Sequence, residues 1–168
     1  MTESVFLICL GKITKVTFNS SNNDYSGAVN IKEGTVAVKA NMALGTGTVT
    51  VDRTGRLEIG VTGGIADILG ATMPTINGGT IAFASGGANT LGTNLANGSG
   101  INLEVSGAGT ALTVSTAQTK TALTTVGEGA VLNLGKNGNG GESILYGNLM
   151  VNGGTLNTTA GDPFGYNN

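Results

Sequence analysis

Histidine and tryptophan are absent from this 168-residue chain, cysteine occurs once and proline twice. Each gap removes a class of explanation. Without histidine there is no side chain that ordinarily titrates near neutral pH, and Ser/His/Asp or Cys/His mechanisms are excluded. Cys9 has no partner for an internal disulfide. It lies in an apolar stretch without a base beside it, so it reads as an inert buried thiol rather than a nucleophile. So little cysteine fits a cytosolic protein and equally a bacterial exported one. Charged residues make up 11% of the chain, with a formal net charge of −2. That leaves neither a basic footprint for nucleic acid nor an acidic tail. No apolar run approaches the about 18 residues of a membrane-spanning helix. The stretch Ser4–Gly11 (SVFLICLG) follows Glu3 rather than a basic region and has no clean cleavage site after it, so it is expected to be a first buried strand and not a signal peptide.

What the chain does have is glycine, 30 residues of it, within a 39% hydrophobic composition. Aromatics are only 4%, so any core must be built from Val, Ile, Leu and Ala. One short template recurs: apolar-x-apolar, a turn with glycine, apolar-x-apolar. It fits Val29/Ile31, Gly34, Val36/Val38, and again Val49/Val51, Gly55, Leu57/Ile59. It then fits Ile76, Gly78-Gly79, Ile81/Phe83, and Leu103/Val105, Gly109, Leu112/Val114. The last copies are Val126, Gly129, Leu132/Leu134 and Leu149/Val151, Gly153-Gly154, Leu156. The steps are about 20 to 30 residues, the size of one solenoid turn.

Alternation with period 2 means strands with one face in and one face out. Helical periodicity is confined to Gly63–Ala71 and Ser115–Leu123, both too short to stand alone. An antiparallel sandwich would use Asn-Gly hairpin turns, and Asn77-Gly78, Asn97-Gly98 and Asn152-Gly153 partly supply them. The regular repeat favours a parallel β-helix of about six rungs instead, with strands stacked about 4.8 Å apart. Its inward columns are expected to be Val36, Leu57, Ile81, Leu112, Leu132, Leu156 and, beside it, Val38, Ile59, Phe83, Val114, Leu134. The stretch Ala84–Gly100 reads as a larger loop. An uncapped rod would expose strand edges and behave poorly in solution unless Phe6–Phe18 covers one end.

The segment Tyr25–Gly60, YSGAVNIKEGTVAVKANMALGTGTVTVDRTGRLEIG, carries more than rhythm. Tyr25, Gly27, Gly34-Thr35, Ala40-Asn41, Ala43-Leu44-Gly45, Gly47-Thr48-Val49-Thr50-Val51, Gly55 and Leu57 resemble the passenger-associated β-strand repeat of bacterial autotransporters (type V secretion). Asn148–Gly161 is a second, shorter match. The resemblance implies an all-β, right-handed parallel β-helix exported through a C-terminal translocator barrel. No signal peptide or barrel pattern is visible here, so the chain reads as a fragment of a longer passenger. It divides into an N-terminal strand or cap region (1–24), the best-matching repeat (25–60), degenerate repeats (61–157) and a C-terminal tail (158–168), all one domain.

Carboxylates are the remaining chemistry: Glu3, Asp24, Glu33, Asp52, Glu58, Asp67, Glu104, Glu128, Glu142 and Asp162. β-Helix enzymes resembling pectate lyases gather acids on one face, and glycosidases pair them about 5 to 10 Å apart. Here Glu58 and Glu104 fall on outward strand positions, and adjacent turns are expected to bring Glu33 towards Asp52 or Arg53. These acids read as solvated charges or rung-to-rung ion pairs. Gly11–Thr14 (GKIT) lacks the upstream glycine of a phosphate loop, and Gly135–Ser143 lacks the aspartate of calcium-binding toxin repeats. No catalytic, cofactor or metal residue is assigned, and neither nucleic acid nor a small-molecule substrate is expected.

The leading expectation is therefore a non-catalytic, surface-exposed stalk displaying loops to a host-surface protein, a glycan or its own kind. The loops Ser20–Asp24, Ala84–Gly100 and Lys136–Glu142 are its contact points. The alternatives are a carbohydrate-active β-helix enzyme of the lyase or hydrolase type and a phage tail-fibre-like structural protein.

Overall fold

The computed structural model describes residues 7–9, 14–21, 23–70, 73–95, 100–119, 121–135, 144–159, 161 and 163–164, with side chains from residue 14 onward. In chain order the strands are β1 (Leu7–Cys9), β2 (Lys15–Phe18), β3 (Val29–Val38), β4 (Val49–Ile59) and β5 (Gly63–Gly64). A five-residue helix, α1 (Ile65–Leu69), follows. Then come β6 (Thr75–Asn77), β7 (Thr80–Phe83), β8 (Ala88–Leu91), β9 (Ile101–Val105), β10 (Ala111–Val114), β11 (Thr121–Val126), β12 (Val131–Leu134), β13 (Asn148–Val151) and β14 (Thr155–Thr158).

Every ladder between these strands is parallel. Parallel neighbours need a crossover of about a dozen residues or more, and here each crossover is the rest of one coil. The result is a β-solenoid of about six turns with two walls. The first wall runs β1-β3-β4-β7-β9-β11-β13, with β2 also on β3 and β6 also on β4. The second runs β5-β8-β10-β12-β14. The antiparallel sandwich is thereby excluded. Asn77-Gly78 and Asn152-Gly153 sit where the chain bends within or between the parallel walls, with positive φ at Gly78 and Gly153.

The inward columns follow from the register. Val16, Val36, Leu57, Ile81, Leu103, Thr124 and Leu149 stack in the first wall. Beside them stack Phe18, Val38, Ile59, Phe83, Val105, Val126 and Val151. The second wall stacks Asn89, Leu112, Leu132 and Leu156, next to Leu91, Val114, Leu134 and Thr158. Aliphatic members of the central rungs are fully buried in one continuous core.

This corrects the expected columns at one junction. Val36, Leu57 and Ile81 do stack, and so do Leu112, Leu132 and Leu156, but Leu103 lies on Ile81 and Leu112 lies on Asn89. In the early turns both halves of the template lie in the first wall, bent at Gly34 and Gly55, which face each other in register. In the later turns the glycine marks the corner between walls. The expected large loop Ala84–Gly100 contains β8, the strand that supplies the missing half-rung. Of the two short helical candidates, the first contains α1, while the second bridges Gln118 to Leu145 and runs into β11.

The family-like motif has a physical reason at one corner. The Thr46 amide donates to the Tyr25 carbonyl at 2.8 Å. A Cβ on Gly45 would strike that carbonyl, and one on Gly47 would strike the Gly27 carbonyl. Tyr-x-Gly on one coil and Leu-Gly-x-Gly on the next are thus two sides of a single close backbone approach.

At the N-terminal edge the described part of the strand or cap region consists of strands. β1 and β2 pair in parallel with the two halves of β3. Ser4–Phe6, Leu10 and Gly11 of the expected first strand, and the side chain of Cys9, lie outside the described residues. At the opposite end the inward columns run out of cover. Val151 is 44% exposed where Val126 in the same column is fully buried.

Candidate functional site

On an outward row of the first wall, Thr17, Ala37, Glu58, Ala82, Glu104, Thr125 and Met150 follow one another rung by rung. The neighbouring row holds Lys15, Thr35, Arg56, Thr80 and Asn102. Alternation along the strands puts all of these side chains on the outer face. Stacking brings Lys15, Lys39, Arg56, Glu58 and Glu104 together there.

Glu58 is the hub. Its Oε1 accepts from Lys15 Nζ at 3.0 Å and lies 3.4 Å from Lys39 Nζ. Its Oε2 accepts from Arg56 Nη1 at 2.6 Å. The other side of the same guanidinium donates through Nη2 to Glu104 Oε1 at 2.9 Å and through Nε to Oε2 at 3.4 Å. A fork of this kind matches a carboxylate in two places at once. The network runs from β2 across β3, β4 and β7 to β9. Under it Glu58 is only 8% exposed, and the outward-facing Ala37 and Ala82 are fully buried.

The electrostatics follow the contacts. Burial pushes the Glu58 carboxyl upward, but hydrogen bonds from Lys15 and Arg56 and the two positive charges outweigh it, leaving its pKa below the ordinary value. For Glu104, burial again acts upward; the hydrogen bonds from Arg56 and Ser106 and the Arg56 charge win, against weak opposition from Glu58. Burial works against the Arg56 cation, yet its bonds to Glu104 and Glu58 hold it more firmly protonated than usual. Both carboxylates are therefore fixed as anions at neutral pH. Neither has the raised pKa that a general acid needs.

The other acids are dispersed. The Glu33 backbone lies opposite Thr54, because the register slips after Ile31, and Asp52 lies beside Asn77. Neither joins an ion pair among the described residues. Asp24, Asp67 and Glu128 are exposed, and Glu3, Glu142 and Asp162 lie outside the described residues. No three acidic or thiol side chains come together as a metal site among the described residues. Of the expected contact loops, Lys136–Glu142 lies outside them as well.

Two polar features escape sequence reasoning. Asn89 is buried in an aliphatic column, its amide donating to the carbonyls of Val61 at 2.8 Å and Gly63 at 3.3 Å. Gln118 is buried too, accepting from the Leu95 amide at 3.0 Å and donating to the carbonyls of Thr93 and Thr116, both at 2.9 Å. Each stitches adjacent coils where the strand ladder is short. On the outer face of the second wall, Asn157 donates to Asn133 at 3.0 Å, one rung to the next.

Compared with known proteins, the chain matches no family model, no curated protein and no solved structure.

Proposed function

We propose that the chain is a structural segment of a surface-exposed autotransporter passenger, a non-catalytic β-solenoid stalk that holds loops out for contact with a host-surface protein or glycan. The observation that carries this reading is the fate of the charges. The only acids brought together among the described residues are neutralised by cations of the same wall, which is scaffold chemistry. The resemblance of Tyr25–Gly60 to passenger repeats supports the secretion class, and that segment forms one full coil of the solenoid and the first-wall part of the next. A lyase or hydrolase would require acids free to bind calcium or move a proton.

The test is display. The chain is fused between a secretion signal and a translocator barrel and produced in a Gram-negative host. The fusion is expected to reach the surface in a protease-resistant fold and to retain cells on an array of matrix proteins and glycans. Depolymerisation of a uronate polymer by the purified chain would overturn the non-catalytic reading. A surface-exposed but unfolded product would overturn the stalk.

A further inference from the structure

We propose that the charged cluster on the first wall is a clasp: it holds the N-terminal rung shut, and neutralising Glu58 releases β2 while the rest of the solenoid stays folded. Little else holds β2. Among the described residues it is a four-residue strand that pairs only with β3, and its two inward side chains, Val16 and Phe18, are half-buried. Its carbonyls at Thr14 and Phe18 accept from the amides of Thr35 at 2.8 Å and Lys39 at 2.9 Å. Among the described residues, the one side chain that ties β2 across β3 to the coil beyond is Lys15, through both oxygens of Glu58.

The clasp has an exposed half and a sheltered half. The side chains of Lys15 and Lys39 are 49% and 37% exposed, whereas that of Arg56 is 25% exposed. Salt and solvent therefore weaken the N-terminal half first. Around Glu58 the charged groups are Lys15 from β2, Lys39 from the turn after β3, Arg56 from its own strand and Glu104 from β9; β7 contributes only Thr80 and Ala82. Removing the Glu58 charge, as Gln does, frees Lys15 and Lys39 together, while Arg56 keeps Glu104. The predicted opening is local. It bares the edge of β3, whose amides at Thr35 and Lys39 then become free to pair with another strand.

Hydrogen exchange on the whole chain tests this. In Glu58→Gln at pH 7, the protection factors of Thr35 and Lys39 are expected to fall about threefold to fivefold, with those of Ile101–Val105 and Val131–Leu134 unchanged. Lys15→Met, which leaves Glu58 with two cations, is expected to give a smaller loss at the same amides. Glu128→Gln, an exposed corner carboxylate, is expected to give none. Unchanged protection at Thr35 and Lys39 in both Glu58→Gln and Lys15→Met would overturn the clasp. So would an equal loss of protection throughout the solenoid.

Discussion

The two ends of this solenoid are stabilised in different ways. In the first turns both halves of each repeat lie in one wall, so β3 and β4 are ten and eleven residues long and bend in place. Here the charges gather, and the outer face is closed over Ala37 and Ala82. From β9 onward each repeat splits across a glycine corner into short strands of two walls. Beyond Glu104 its outer faces carry mostly hydroxyls and amides, and Met150 and Val151 on its last described first-wall strand are exposed. The lesson is that one sequence template serves two coil geometries, and that cross-rung charge concentrates where long strands keep outward rows in register.

The largest expected effect compares columns. Leu57→Ala, in a fully buried position, is expected to cost about 2–5 kcal/mol in denaturant unfolding. Val151→Ala, at the open end, is expected to cost well under about 1 kcal/mol. Equal costs would erase the distinction between closed and open ends. Next is Gly55→Ala. Its new Cβ would overlap the Ile31 carbonyl oxygen in the coil below, for an expected loss of about 1–3 kcal/mol.

Acid is the third lever and acts on the N-terminal turns. Glu58 and Glu104 have folded pKa values below their ordinary ones, so their contribution is full above the ordinary carboxylate range of about pH 4 to 5 and is lost as pH falls through the folded values. The loss is expected to be about 1 kcal/mol, given the exposure of the partners. The melting temperature should fall between pH 5 and pH 3, and fall less in the Glu58→Gln/Glu104→Gln double variant. The smallest effect belongs to the C-terminal turns. The Thr124 hydroxyl is buried without a partner in a column of aliphatics. Thr124→Val is expected to raise stability by up to about 1 kcal/mol.

Much of this architecture was legible because a period of 2 and a glycine every coil are local signals. Gly34 under Gly55, Leu57 under Ile81, and Leu112 under Leu132 were all readable as stacked pairs. The splice between them was not, because Ala88-Asn89-Thr90-Leu91 puts an amide where the template wants an aliphatic side chain. Asn89 is tolerated inside because it finds two carbonyls, a fact of the neighbouring coil and not of its own strand. The charged site was half legible for the same reason. Outward Glu58 and Glu104 follow from alternation, but Lys15 and Lys39 reach them only once the register of separate coils is known.

Leu103, not Leu112, continues the column above Ile81. Disulfide trapping reads this directly, in a Cys9→Ser background. Thr80→Cys with Asn102→Cys places thiols on facing residues of adjacent parallel strands, at a spacing a disulfide can bridge. That pair is expected to cross-link rapidly under mild oxidation, and Thr80→Cys with Ala111→Cys is expected not to. Cross-linking in the second pair and none in the first would contradict the stacking on which the whole solenoid rests.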